Sequence, residues 1–291
     1  MNLRTDATLP GWVLVLPAVM LAAFIAMSLQ RGDGEVRLWV LDVGQGDAIL
    51  LQTPAGHTAV INGGPGATAL NSGVGKHLSF WQNSLDLAIL TTPQDDDITG
   101  LVDLLARRPV DQIVQTEFTP TTSVQGAWQE AVAQSDADVS TASRGDLITF
   151  DNEPDLTLRV LYPPAEGAVE GMPLLLKLEY RGTSILLASG LTTHDETLLL
   201  SLSEQTDLKS DVLVVGQHGS DSATSPRFIA TVQPSAAIIS VGAGNRTNDP
   251  APEVLQRLTA AGAKIYRTDQ NGEIEIALKA GELTITPERD Q

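Results

Sequence analysis

The chain has 291 residues, with 18 Lys plus Arg, 36 Asp plus Glu, 4 His, no Cys and a formal net charge of −18. Without cysteine there is no disulfide framework, no thiolate zinc site and no thiol nucleophile, and four histidines cannot furnish a site that needs five imidazoles. The acidic balance weighs against direct nucleic-acid binding, which ordinarily needs a basic patch to displace counterions from phosphates; a local patch of Arg107, Arg108, Arg227, Arg246 and Arg267 is the one way around that argument.

Trp12 to Leu29 (WVLVLPAVMLAAFIAMSL) is an uncharged apolar run of 18 residues. A spanning helix needs roughly 20, and Pro17 is tolerable inside one. The run is longer than the h-region of a cleaved signal peptide, although Ala26-Met27-Ser28 resembles a small-x-small cleavage site. The chain therefore divides into a tail at 1–11, a transmembrane helix or signal anchor at 12–30, and one domain at 36–287. The expected location is the cell membrane, single-pass, with the domain on the extracytoplasmic side; the alternative is secretion after cleavage.

After Gly34 the pattern becomes one of short strands. Val36–Val43, Ala48–Thr53 and His57–Asn62 read as strands joined at hairpin spacing, with Gly44 and Gly46 in the first turn and Pro54-Ala55-Gly56 in the second. Leu85–Thr91 is a further strand. In Asp97–Arg108, Ile98, Leu101, Val102, Leu104 and Leu105 fall at helical spacing. Asp95, Asp96 and Asp97 suit the helix N-terminus as caps, Arg107 and Arg108 its C-terminus, and Pro109 ends it. Thr116–Thr149 reads as largely irregular, with a helical part around Ala127–Ala133.

In the second half, Leu156–Tyr162, Leu174–Tyr180, Ser184–Ala188, Asp211–Val215, Ala236–Val241 and Lys264–Arg267 read as strands. Asp195–Ser203, Pro226–Val232 and Pro252–Ala261 read as helices. Glu273–Ala277 and Leu283–Thr286 close the chain around the Ala280-Gly281 turn. Strands followed by flanking helices in both halves predict an α/β fold, sheet packed on sheet with helices outside.

Four segments together are specific: Leu41-Asp42-Val43-Gly44-Gln45-Gly46-Asp47-Ala48; Ile61-Asn62-Gly63-Gly64-Pro65; Gly216-Gln217-His218-Gly219-Ser220; and Ser240-Val241-Gly242 with Asn245-Arg246. In order and spacing they resemble the C-terminal metallo-β-lactamase-fold domain of the ComEC family of competence proteins, which move transforming DNA across the bacterial inner membrane. The resemblance covers about Val36 to Thr286. It implies an αββα metallo-β-lactamase-like sandwich following a membrane helix. It assigns Asp42, Gly44, Gln45, Gly46, Asp47, Gly63 and Gly64 to the structural motif, and implies a metal site at one edge of the two sheets.

The metal-binding pattern of such proteins is Thr-His-x-His-x-Asp-His, with further ligands from later loops. Two metals would lower the pKa of a bridging water and stabilise the charge of a phosphoryl displacement. Here Thr92, Gln94 and Asp97 stand at the three His positions, and only Asp96 matches. Gly190 stands where an Asp can bridge the metals, Gln217 where the first His of His-His-Gly-Ser belongs, and Asp249 where a late His belongs. Asn62 replaces an Asp of the Gly-Gly-Pro turn. His57, His77 and His194 lie outside the motif, the last two expected to be exposed.

The departures fall on the chemically essential positions. The sequence therefore points to a metal-free pseudoenzyme with a binding or scaffolding role beside competence or envelope proteins, without a cofactor. The alternative is a metal-dependent nuclease or phosphoesterase with a remodelled, carboxylate-rich site. Its residual candidates are Asp96, Asp97, His218 and Asp249, beside Asp95, and oxygen-rich ligands of this kind favour one Mg²⁺, Mn²⁺ or Ca²⁺ over a zinc pair. Dinucleotide, phosphate-loop and Gly-x-Ser-x-Gly signatures are absent.

Overall fold

A computed structural model describes Val19 and residues 34–290 apart from Phe80, Ser203 and Glu204. The expected transmembrane helix or signal anchor at 12–30, Val19 aside, lies outside the described residues. Among these, no helix is long and apolar enough to cross a membrane.

The first hairpins form as their spacing predicts. Glu35–Val40 (β1), Ile49–Gln52 (β2) and Thr58–Ile61 (β3) pair antiparallel in succession. The chain then crosses in Ala67–His77 (α1) to Leu85–Leu90 (β4), which pairs parallel to β3. Asp95–Arg107 (α2) leads to Val110–Gln115 (β5), and Ser123–Gln134 (α3) to Asp138–Thr141 (β6), both parallel additions. The last hairpin, Ile274–Lys279 (β14) and Glu282–Pro287 (β15), returns to lie beside β1. The order of this sheet is β15-β14-β1-β2-β3-β4-β5-β6.

The second sheet contains Leu147–Thr149 (β7), Leu156–Tyr162 (β8), Leu175–Tyr180 (β9), Thr183–Leu187 (β10), Val212–Val214 (β11), Ala236–Ile239 (β12) and Lys264–Arg267 (β13). Its order is β13-β12-β11-β10-β9-β8-β7, with β7 to β10 antiparallel and β10 to β13 parallel. Thr193–Leu202 (α4), Gln205–Leu208 (α5), Pro226–Val232 (α6), Pro252–Ala260 (α7) and Thr268–Asn271 (α8) complete the chain.

Strand alternation sorts the apolar side chains into three layers. Val36, Leu38, Val40, Leu158, Val160 and Leu178 meet between the sheets. Leu70, Val74, Ile98, Leu101, Leu104 and Trp128 of α1 to α3 cover the outer face of the first sheet. Leu199, Phe228, Ile229, Val254 and Leu258 cover that of the second. The result is an αββα sandwich. Each fully buried Leu, Ile, Val or Phe contributes roughly 1.5–3 kcal/mol.

Two elements leave no clear sequence pattern, and one expectation needs revision. α1 gives no clear periodic signal, because ATALNSGVGKH carries two glycines and buries only Leu70 and Val74. β5 escapes notice because Asp111 and Gln112 interrupt its apolar run and are exposed. The stretch 116–149 holds α3, β6 and β7; α3 begins with a capping box between Thr122 and Gln125.

Candidate functional site

The site sits where β3, β4 and the strand ends of the second sheet come together, and the turn after β1 bridges the two sheets. Within Gly44-Gln45-Gly46-Asp47, Gln45 Oε1 accepts from the Gly242 backbone N–H at 3.0 Å, and the Ser240 hydroxyl donates to the Gly46 carbonyl at 2.8 Å. Both partners follow β12. Gly46 makes the close approach possible: a Cβ there would meet the Asp96 carbonyl oxygen inside contact distance and Pro65 Cδ at 2.7 Å. This contact sets the β1–β2 turn on the N-terminus of α2.

The acidic start of α2 does not work as a set of caps. Gln94 is the N-cap and its side chain makes no capping hydrogen bond. Asp95 accepts from the Thr122 hydroxyl at 2.6 Å. Asp97, only 1% exposed, turns inward, where its Oδ1 accepts from the Asp47 backbone N–H at 2.8 Å. Asp96 faces His218, with Oδ2 3.5 Å from Nε2. The three carboxylates thus leave the helix end for three different partners.

His218 lies in a short 3₁₀ turn, Gly216–Gly219, in which Gln217 (φ 48°) and His218 (φ 54°) are left-handed. That conformation is unusual for residues with a side chain and aims the imidazole inward. Its Nδ1 is 3.1 Å from the Ser240 carbonyl oxygen and 3.8 Å from Asp47 Oδ2. Nδ1–H donates to the Ser240 carbonyl, and the Asp96 and Asp47 carboxylates around the ring favour the imidazolium. Burial opposes that charge, but the Asp47 carboxylate, the Asp96 contact and Asp97 outweigh it and push the His218 pKa up to about 10. Asp47 is 1% exposed, and neither of its carboxylate oxygens has a hydrogen-bond partner within bonding geometry. The Ser240 hydroxyl, near enough to temper its charge, is committed to Gly46. Burial therefore raises Asp47 to about 6 despite His218. Burial, reinforced by Asp47 and Asp96, also holds Asp97 well above the usual carboxylate range.

The other replaced positions are packed on one another. A Cβ at Gly190 would come 2.7 Å from Thr92 Cβ and 2.9 Å from Pro173 Cβ. Gln217 Nε2 donates to the Gly190 carbonyl at 2.8 Å. Thr92, Gly190 and Gln217 thus close the space where ligands would project. Asn62 (φ 59°) is buried and joins β3 to β4: its Nδ2 donates to Thr91 Oγ1 at 2.8 Å, and its Oδ1 accepts from Thr91 N at 2.9 Å. Asp249 is elsewhere engaged: its carboxylate accepts from the Thr247 hydroxyl, and its backbone is held by Asn245.

A zinc pair does not fit this donor set. Asp97 is committed to a backbone N–H, Asp249 to its own loop, and the orphaned Asp47 carboxylate faces an imidazole. Among the described residues no group of three His, Asp or Glu is arranged to hold a metal ion.

Asp47 is the participant that motif reading placed among structural residues. Its signal was there: an acidic residue in a glycine turn at a strand end. Asp42 pairs with Arg289 at 3.3 Å, and Arg267 with Asp269 at 2.7 Å. His77 is not exposed; it stacks on Trp39 at 4.1 Å and meets Glu273 at 2.7 Å. His57 meets Asp86 at 2.8 Å on the opposite rim. His194 is exposed.

No family model matches the chain. Among curated proteins it is 30% identical over 297 residues to ComE operon protein 3 of Bacillus subtilis, an alignment covering 94% of this chain and 37% of that protein. The chain is a homologue of the ComEC-type competence proteins. A second relative, competence protein ComA of Neisseria gonorrhoeae, is 33% identical over 111 residues, covering 38% of this chain and 16% of that one. This ComEC-type homologue therefore spans little more than a third of the first relative's length.

Solved structures agree on the fold. The metallo-β-lactamase fold protein YhfI from Bacillus subtilis superposes with a TM-score of 0.56 at 10% identity, covering 84% of this chain and 100% of that one. Igni18, a metallo hydrolase from the archaeon Ignicoccus hospitalis, superposes with a TM-score of 0.50 at 14% identity, covering 86% and 98%. At these identities the likeness carries the fold alone.

Proposed function

We propose that this ComEC-type protein is a membrane-tethered pseudoenzyme whose sandwich acts by binding or scaffolding beside competence or envelope proteins, with the His218 imidazolium serving as the resident cation of the old metal site. The observation that carries the reading is the position of His218 between Asp47 and Asp96, both nitrogens on acceptors. A buried carboxylate is costly unless paired, and one imidazolium answers the charge of the cluster without metal. The packing of Gly190 against Thr92 supports the same reading, since the bridging carboxylate has no room to return. The tether rests on the apolar run Trp12–Leu29.

The competing reading is a nuclease or phosphoesterase using one hard divalent ion on Asp96 and Asp47. The test is cleavage of single-stranded DNA and of a simple phosphodiester by the full chain with Mg²⁺, Mn²⁺, Ca²⁺ or Zn²⁺. The pseudoenzyme shows no turnover above background with any ion. Mn²⁺-dependent cleavage that disappears in Asp96→Ala establishes the enzyme instead.

A further inference from the structure

The residues that precede the domain fix which end of the sandwich lies nearest the anchor. The apolar run ends at Leu29, and the described domain begins at Gly34. The intervening residues 30–33, even fully extended, reach no more than about 3.6 Å each, so Gly34 lies within roughly 18 Å of the end of the run. Gly34 is itself tied down, its carbonyl accepting from the Tyr180 hydroxyl at 3.2 Å.

Register places the starts of β1, β3, β4 and β5 at this same end of the first sheet. Arg37 pairs with Gln52, Gln52 with Thr58, Ala59 with Leu87, and Leu85 with Val110. In the second sheet, β10 to β13 also start here, through Ile185 opposite Val212, Val212 opposite Ala236, and Ala236 opposite Lys264. The His218 cluster stands at the other end, after β3, β4 and β12. One strand length, about 3.3 Å per residue, separates the two rims by roughly 20 Å.

Ion pairs and one exposed aromatic mark the Gly34 rim. At the Gly34 rim Glu35 pairs with Arg37 at 2.7 Å and Lys279 at 2.6 Å, Asp155 with Arg181 at 2.9 Å and Asp86 with His57 at 2.8 Å, while Asp111, Asp138 and Asp151 are exposed. Trp81, next to Gln82 whose amide donates to Thr58, is 50% exposed on that flank, and an indole suits a headgroup interface. At the far rim Asp47 and Asp96 face the His218 imidazole at 3.8 and 3.5 Å.

We infer that the Gly34 rim is the membrane-facing surface of the domain, resting on phospholipid headgroups, and that the His218 rim is presented away from the bilayer to the binding partner. This inference rests on the tether reading above. It makes the His218 rim reachable by a partner outside the bilayer and closes the Gly34 rim to one.

The chain has no cysteine, so single-cysteine probes need no background removal. Full-length Ser84→Cys and Ala243→Cys, both exposed positions, are labelled with a fluorophore and reconstituted in phosphatidylcholine–phosphatidylglycerol vesicles carrying a headgroup spin quencher. The expected result is flotation of both proteins with the vesicles and at least twofold stronger quenching at residue 84 than at 243. Flotation with equal quenching, or stronger quenching at 243, overturns the orientation while leaving the tether in place. Failure to float overturns both.

Discussion

The imidazole of His218 and the carboxylate of Asp47 lie 3.8 Å apart, both almost wholly buried, although 171 residues separate them in the chain. The β1–β2 turn brings one and the 3₁₀ turn after β11 brings the other. Their approach puts one imidazole beside a buried carboxylate that has no hydrogen-bond partner.

Removal of the imidazolium should be felt as lost stability. His218→Gln leaves Asp47 and Asp96 without their cation, and breaking a buried pair in this way costs about 3–5 kcal/mol. Urea unfolding measures it. Asp249→Asn, outside the cluster, should change stability by about 1 kcal/mol or less. Equal effects of the two substitutions would place His218 outside any ion pair.

The pH dependence has a definite sign. An unfolded His titrates near 6.5, whereas His218 is pushed up to about 10. The folded state holds this proton more tightly, so the contribution is full below about pH 6.5 and is lost as pH rises towards 10. Asp47, raised to about 6, has the same sign over a lower window, from its ordinary value near 3.8 upward. The gap in Tm between wild type and His218→Gln should therefore narrow between pH 6.5 and 9.5. A constant gap would mean the ring is neutral in the fold.

Gly190 reports on the closed ligand space. Gly190→Ala and Gly190→Asp both drive a Cβ into Thr92, an overpacking that costs about 1–3 kcal/mol. Pairing either with Thr92→Gly should return part of the loss, a favourable coupling in a double-mutant cycle. Additive losses would show that the two positions do not share the space.

Gly46→Ala tests how the site is assembled. Its new Cβ would press on the Asp96 backbone carbonyl and Pro65, pushing the turn away from α2 and lengthening the Asp97 contact to the Asp47 N–H. A loss of about 1–3 kcal/mol is expected, together with a lowered His218 pKa by NMR titration. An unaltered His218 pKa would separate the turn from the cluster.

Much of the fold was legible in the sequence because its strands carry period-two or fully apolar runs bounded by glycine turns. β1 to β3 and the β9–β10 hairpin are of this kind. α1 and β5 were not legible, since glycines in one and Asp111-Gln112 in the other blur the pattern. At the site, motif reading picked out Asp96 and His218, which the fold brings to 3.5 Å. It did not reveal that Asp47 faces the same ring, because that contact depends on a turn crossing between sheets. Nor did it reveal that Asp97 abandons the helix end for a backbone N–H fifty residues away. Asp249 read as a member of the same group, yet its partner is two residues away, at Thr247.

If the His218 imidazolium takes the place of metal ions, as proposed, metal content shows it most directly. Elemental analysis of the protein purified without chelator, and again after incubation with Zn²⁺ or Mn²⁺ and gel filtration, should find far less than one metal ion per chain, with Tm unchanged by EDTA. One or two tightly held ions per chain, with Tm falling on chelation, would contradict the account.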